Sequence, residues 1–288
     1  MFSSTHALQG GTLTGRFVQH RLKSKALGEE RTVTVRYPDS YDPHKKYPVV
    51  YLQDGQNVFD SRTSYGGQEW HADETFGRLA AEHKAPDAFL VAVDNGGADR
   101  LKEYTHVPDP ENGGGQGAKY EDFFMNELLP TVEAAYPVDS SKRVMMGSSL
   151  GGMVSLAIGL NHPTAFAAIA ALSPSVWWDN GQMPTHILEQ PAPVARPKIW
   201  LDMGTEEGSS DDFGAREIEN GRFSKQPSGG NGVQDVRDRS RETGLALLQK
   251  GWKLDDDLHY HEPIGARHNE YFWSERLGDV AQWAMRGL

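Results

Sequence analysis

The chain has 288 residues, with 29 Lys+Arg against 40 Asp+Glu for a formal charge of -11, and no cysteine. The missing cysteine excludes a thiol nucleophile, a disulfide scaffold, a zinc ribbon and an iron–sulfur cluster, and the acid surplus argues against a nucleic-acid or anionic-membrane partner. Hydrophobic residues at 38% and charged residues at 24% fit a globular fold, and the length accommodates one large α/β domain over residues 1–288 without a separate lid or binding domain.

The first 20 residues lack the apolar stretch and basic cluster of a secretion signal. The longest apolar run, 165–172, has strand length and falls far short of the roughly 18 residues a membrane helix needs. The expectation is a soluble, cytoplasmic protein, although a trimmed secretion signal would leave the same pattern.

The chain opens with β character, in antiparallel strands expected over about 13–37: Arg16-Phe17-Val18, then residues 31–37 alternating with period two. Beyond the turn-rich 38–46, short and nearly continuous apolar runs recur at 48–52, 88–93, 144–146, 166–172 and 199–203. Such runs suit parallel strands buried on both faces. Amphipathic spacing predicts helices over 70–83, 120–136, 233–249 and 270–285, while 150–160 is apolar almost all round, as a buried central helix would be. Alternating strands and helices predict a single α/β sandwich. Two long polar segments, 94–117 and 206–232, follow strand ends, where α/β sheets place their sites.

Gly147-Ser148-Ser149-Leu150-Gly151 carries Gly-x-Ser-x-Gly centred on Ser149, after a strand and before an apolar helix. A sharp strand-to-helix turn strains the serine backbone, and side chains two positions away on either side would clash, so both positions are glycine. The Leu150 amide then sits at a helix N-terminus, placed to donate to an oxyanion. Ser148 lacks glycines at those offsets, since Met146 and Leu150 stand there.

A serine hydroxyl needs a general base, and the base needs an acid to orient it, in the chain order Ser, acid, His. Five histidines follow Ser149: His162, His186, His259, His261 and His268. His162 lies at the far end of the nucleophile helix and His186 on a proline-bearing approach to the next strand. His259 and His261 share one face of a strand over 257–262, read as solvated rather than metal-binding. His268, beyond that strand and just before an aromatic helix, is the base. The acid should follow the 199–203 strand, where Asp202, Glu206, Glu207, Asp211 and Asp212 are available. Asp202 lies inside the strand with its direction set by the pleat, and residue chemistry does not separate Glu206 from Glu207.

Seven ordered blocks now point to a family: residues 51–57 (Tyr-Leu-Gln-Asp-Gly-Gln-Asn), 94–97 with Arg100, Glu103 and Tyr104, 126–130 (Asn-Glu-Leu-Leu-Pro), 147–152, 172–178 (Leu-Ser-Pro-Ser-Val-Trp-Trp), 204–208 and 265–270. From about Arg31 to the C-terminus the chain resembles the esterase D-like esterases, the α/β-hydrolase group that includes enterobactin and feruloyl esterases. The resemblance implies a mostly parallel sheet of about eight strands with helices on both faces. It implies Ser149 as nucleophile and His268 as base. It places the acid three residues after the glycine of the Gly204-Thr205 turn, at Glu207. The second oxyanion amide comes from Gln56 or Gly55, beside that of Leu150; Gln53 stands where many relatives have histidine. Trp177 and Trp178 wall the acyl or alcohol pocket, while Arg100, Glu103 and Tyr104 line its mouth or buttress it through an ion pair. Neither cofactor nor metal is implied.

The function expected is a serine carboxylic-ester hydrolase acting through an acyl-enzyme on a small or medium ester. Sugar acetyl, aryl, feruloyl-type and siderophore esters are the candidates, and the negative chain tilts toward the neutral ones. Acyl transfer, S-formylglutathione-type thioester hydrolysis and a catalytically inactive binding protein are the rival readings.

Overall fold

The computed structural model describes residues 1–110, 112–207 and 236–288. Three antiparallel strands open it: β1 (Ser4–Leu8), β2 (Phe17–Lys23) and β3 (Glu30–Arg36). Next come β4 (Tyr47–Gln53), helix α1 (Ala72–Ala81), β5 (Phe89–Val93) and the short α2 (Arg100–Glu103). A small hairpin, β6 (Pro108–Asp109) with β7 (Gly113–Gly114), precedes α3 (Gly117–Asp122), which continues through a π-helical turn (Phe123–Leu128) into α4 (Leu129–Ala135). The second half holds β8 (Val138–Ser148), α5 (Ser149–Asn161), β9 (Ala168–Leu172), α6 (Trp178–Glu189) and β10 (Lys198–Asp202). After the undescribed stretch come α7 (Val236–Gln249), β11 (Leu258–His261) and α8 (Glu270–Ala284).

Nine strands form one sheet in the order β1-β2-β3-β5-β4-β8-β9-β10-β11. The last six in that order pair in parallel, whereas β1, β2 and β3 run antiparallel at the other edge. Every residue of β4, β5 and β9 is buried, as expected of strands covered on both faces. Alternation along the strands divides the core in two. Val49, Tyr51, Val91, Met145 and Ile169 pack in one cluster with Phe124, Val132, Val154 and Ile187 from the helices. Val50, Leu52, Leu90, Met146 and Ala170 face the other way, toward Phe76 and Leu79 of α1 and Leu277 and Val280 of α8. The active-site candidates therefore come off the carboxyl ends of parallel strands.

Three elements depart from the sequence reading. Strand β1 is almost wholly exposed, so no buried period betrays it; backbone pairing with β2 alone makes it a strand. Helix α6 occupies the proline-bearing stretch read as an approach to β10, and carries His186. Its first turn contains Asp179, Asn180 and Gly181 at positive φ, and Pro184 lies inside it, features that mask a helical pattern. The predicted helix over 120–136 is interrupted by the π-turn immediately before Pro130. Proline has no amide hydrogen and crowds the carbonyl four residues back, which accounts for a change of winding there. The polar segment 94–117 holds α2 and the β6–β7 hairpin, whereas residues 208–235 of the second long segment, with Asp211 and Asp212, lie outside the described residues. No helix among the described residues is long and apolar enough to cross a membrane.

Candidate active site

Strand β8 ends at Ser148 and α5 begins at Ser149, leaving no loop between them. Ser149 takes φ 55 at this corner, a left-handed conformation that costs a non-glycine residue of order 1–3 kcal/mol. The flanking glycines make the corner possible. A Cβ on Gly147 would lie 2.3 Å from the Gly151 carbonyl oxygen, and one on Gly151 would lie 2.7 Å from Asp54 Oδ2. Ser149 Oγ consequently projects at the head of α5, whose first-turn amides, Leu150 among them, have no acceptor inside the helix.

His268 meets this hydroxyl, its Nε2 lying 2.9 Å from Ser149 Oγ. The other ring nitrogen, Nδ1, lies 2.8 Å from Glu207 Oε2. Trp273 abuts the imidazole edge-on, with ring centroids 5.0 Å apart, and so limits how it can turn. Glu207 is buried, and its second oxygen, Oε1, accepts from Ser173 Oγ at 2.5 Å and from the Gly204 amide at 2.8 Å. Burial alone would push this carboxyl up. The neighbouring imidazole, with hydrogen bonds from His268, Ser173 and Gly204, outweighs burial and holds it below the ordinary carboxylate value. Close approach dictates the glycine here too, because a Cβ on Gly204 would sit 2.3 Å from the Ala266 carbonyl oxygen.

The other acids have different employment. Glu206 is exposed. Asp202 is fully buried and takes Arg276 in a fork, at 2.8 Å from Nη2 and 3.0 Å from Nε, with the Ser173 amide and the Trp200 indole as further donors. Of the remaining histidines, His162 pairs with Glu121 at 2.8 Å. His259 and His261 lie on one face of β11, as expected: His261 is exposed, and half-buried His259 stacks on Trp200 with centroids 4.2 Å apart and packs near Trp283. Among the described residues, no group of three or more His, Asp or Glu side chains is arranged to hold a metal.

The loop after β4 faces the nucleophile corner. Asp54 is left-handed at φ 54, and Gly55–Asn57 form one 3-10 turn. Gly55 presses on the backbone of Ala92 and Val93, where a Cβ would come within 2.8 Å. The Gln56 amide lies in the first turn of this 3-10 segment, where amides lack an intrahelical acceptor. Its side chain accepts from the Asn95 amide at 3.3 Å, and its carbonyl accepts from Thr63 Oγ1 at 2.7 Å. Arg100 braces the loop from below, with Nε 2.6 Å and Nη2 2.8 Å from the two Asp54 oxygens. The Arg100 side chain stays partly exposed beside this ion pair. Glu103 likewise pairs with Arg31, and Tyr104 is fully buried. Gln53 points into the core, where its Oε1 accepts from the Tyr104 and Tyr120 hydroxyls. A buried histidine could not offer a carbonyl-type acceptor to both phenols.

Trp177 and Trp178 are both buried. The Trp178 indole donates to the Val107 carbonyl at 2.8 Å, and the ring lines a cavity of about 100 Å³ with Met153, Ala157 and Met183. The sequence reading missed two groups. Ser175 Oγ lies 3.3 Å from Ser149 Oγ, and Ser173, at φ 42, joins Glu207 to Arg276. Both sit in the Leu-Ser-Pro-Ser block after β9, and that block's position at a parallel strand's carboxyl end was the available signal.

A serine hydroxyl hydrogen-bonded to an imidazole, itself oriented by a buried carboxylate, is the arrangement that activates serine for attack on a carbonyl. The chain's likenesses agree. A family model described as "Putative esterase" matches residues 24–279. The Bacillus subtilis (strain 168) protein named "Uncharacterized protein YbbA" is 28% identical over 262 residues, covering 88% of this chain and 92% of its own. Ferri-bacillibactin esterase BesA of the same organism is 29% identical over 171 residues, covering 52% of this chain and 56% of its own. A solved ferulic acid esterase superposes with a TM-score of 0.66 at 22% identity, over 94% of this chain and 98% of that one, a likeness of fold. The chain belongs to the Putative esterase family and is a carboxylic-ester hydrolase with the α/β-hydrolase fold.

Proposed function

We propose that Ser149, His268 and Glu207 form the catalytic triad of a single-domain esterase that works through an acyl-enzyme. The observation that carries this reading is the unbroken line from Ser149 Oγ through both nitrogens of His268 to buried Glu207. His268 Nε2 takes the hydroxyl proton as Oγ attacks the ester carbonyl. The amides of Leu150 and Gln56 hold the oxyanion, each contributing roughly 3 kcal/mol to the barrier reduction. Collapse expels the alcohol, which leaves with the proton from His268. Water then repeats the cycle on the acyl-serine, while Glu207 stabilises the imidazolium and fixes the Nδ1–H tautomer.

The substrate is a small or medium ester of siderophore or feruloyl type, the classes named for BesA and for the ferulic acid esterase. A panel of p-nitrophenyl acetate, methyl ferulate and a tris-catecholate trilactone tests both parts. The wild type should turn over at least one, and Ser149→Ala should lose on the order of 10⁴-fold or more in kcat on it. Folded wild-type protein inert to all three, or Ser149→Ala retaining most of the turnover, would refute the proposal.

A further inference from the structure

We propose that Ser173 and Arg276 are positioning residues that tune the triad acid: Arg276 polarises the Ser173 hydroxyl, which in turn holds the outer oxygen of Glu207. The inference rests on Glu207 being that acid and adds what sets its basicity.

Ser173 is built as a relay. It follows β9 at φ 42, a conformation unfavourable for serine that persists only when its surroundings enforce it. Its amide donates to Asp202 Oδ1 at 2.8 Å. Its hydroxyl accepts from Arg276 Nη2 at 2.7 Å and from the Trp273 indole at 3.0 Å. With two donors fixed on the oxygen, the hydroxyl proton has one partner left, Glu207 Oε1 at 2.5 Å. Every direction of the Ser173 side chain is therefore determined, and the determined direction points at the triad. Hydrogen bonds in such a chain strengthen one another in a low-dielectric interior.

Arg276 belongs to α8 and is itself buried, forked onto Asp202 of β10. The same helix carries Trp273, which abuts His268. One helix thus fixes the base from one side and the acid from the other. Among the described residues, the charged and titratable groups that face this carboxylate are His268 directly, and Arg276 with Asp202 behind Ser173; Glu270, at the start of α8, faces His268. The Ser173 hydrogen bond is among the influences that hold Glu207 below its ordinary value.

The direction of the effect follows. Without the Ser173 hydroxyl, the ionised Glu207 loses a donor and binds a proton more readily. Its charge is also less neutralised, so it stabilises the His268 imidazolium more strongly. Both changes raise the acidic limb of the kcat/KM profile. A residue that merely held the fold together would lower thermal stability and leave that limb in place.

The experiment is Ser173→Ala, with Arg276→Lys as a second variant should the first not fold, each measured for kcat, KM and the pH profile on the wild type's best aryl ester. For Ser173→Ala we expect kcat about tenfold lower, on the order of one hydrogen bond to a charged group, because a carboxylate freed from Ser173 no longer holds His268 in line with Ser149 and this loss of alignment outweighs the gain in basicity. KM should change little, and the acidic limb should rise by about half to one pH unit. Arg276→Lys keeps the charge without the fork, and its limb should fall between the two. A folded variant with wild-type kcat and an unmoved limb would overturn the proposal, as would a lowered limb, which would mean that Glu207 had left the imidazole. Fluorophosphonate labelling of Ser149 in the same variants separates the failures: labelling with an unmoved limb sinks only the positioning role, and no labelling of wild type sinks the triad.

Discussion

The acid of the triad can be tested by a substitution that changes one atom. In Glu207→Gln, the amide must choose which end faces His268. The Oε1 site receives donors from Ser173 and the Gly204 amide, so the amide oxygen belongs there, and the NH₂ is left where Oε2 stood, 2.8 Å from His268 Nδ1. A donor at that place turns Nδ1 into an acceptor and moves the ring proton to Nε2, the nitrogen that faces Ser149. The base then cannot accept the serine proton. Wrong-tautomer substitutions of this kind cost about 10⁴-fold in kcat, or roughly 5 kcal/mol of barrier. Glu207→Asp keeps the charge but withdraws it by about one carbon–carbon bond, and a misplacement of this size costs on the order of 10²-fold. Initial rates of p-nitrophenyl acetate hydrolysis, on samples matched by circular dichroism and melting temperature, give the ranking wild type, then Glu207→Asp, then Glu207→Gln. Glu207→Gln within tenfold of wild type would refute the tautomer argument and leave Glu207 outside the triad.

Gly147→Ala places a Cβ 2.3 Å from the Gly151 carbonyl oxygen, so the corner at Ser149 must open. Activity should fall by at least about 10²-fold, with a clear drop in melting temperature; wild-type activity in Gly147→Ala would mean that the corner is not what sets the nucleophile. Asp73, at the start of α1, is fully buried, and its Oδ1 has no hydrogen-bond partner. Burial, helped by neighbouring Glu74 and only partly offset by the Thr14 amide, raises its carboxyl well above the ordinary value. The folded state thus holds a proton that the unfolded chain has lost, and stability falls as pH rises from the unfolded value toward the folded one. Asp73→Asn keeps the acceptor for Thr14 and removes the charge. It should raise the melting temperature more at pH 8 than at pH 5; an equal change at both would show that Asp73 is not titrating in that window.

How much was legible depended on whether the controlling contact was local in sequence. The corner at Ser149 could be read from the Gly-x-Ser-x-Gly pattern because the clash that excludes a side chain at Gly147 is with the carbonyl of Gly151, only four residues on, although the clash at Gly151 is with distant Asp54. The strands β4, β5 and β9 were legible for a similar reason: burial on both faces writes a continuous apolar run into the sequence. The choice between Glu206 and Glu207 was not legible from residue types. It turns on the Gly204 turn packing against Ala266, 62 positions away, which buries one carboxylate and exposes the other. Likewise the place of Ser173 at a strand's carboxyl end marks it as near the site but does not disclose its partners, which come from β10, α8 and the turn after β10. The edge strand β1 escaped because both its faces see solvent.

The central claim is that Ser149 is the covalent nucleophile, and intact-mass analysis after incubation with a fluorophosphonate tests it most directly. One adduct per chain should form, map by peptide digestion to the 147–152 segment, and vanish in Ser149→Ala while that variant keeps its fold. An adduct elsewhere in the sequence, or one that persists in folded Ser149→Ala, would contradict the account.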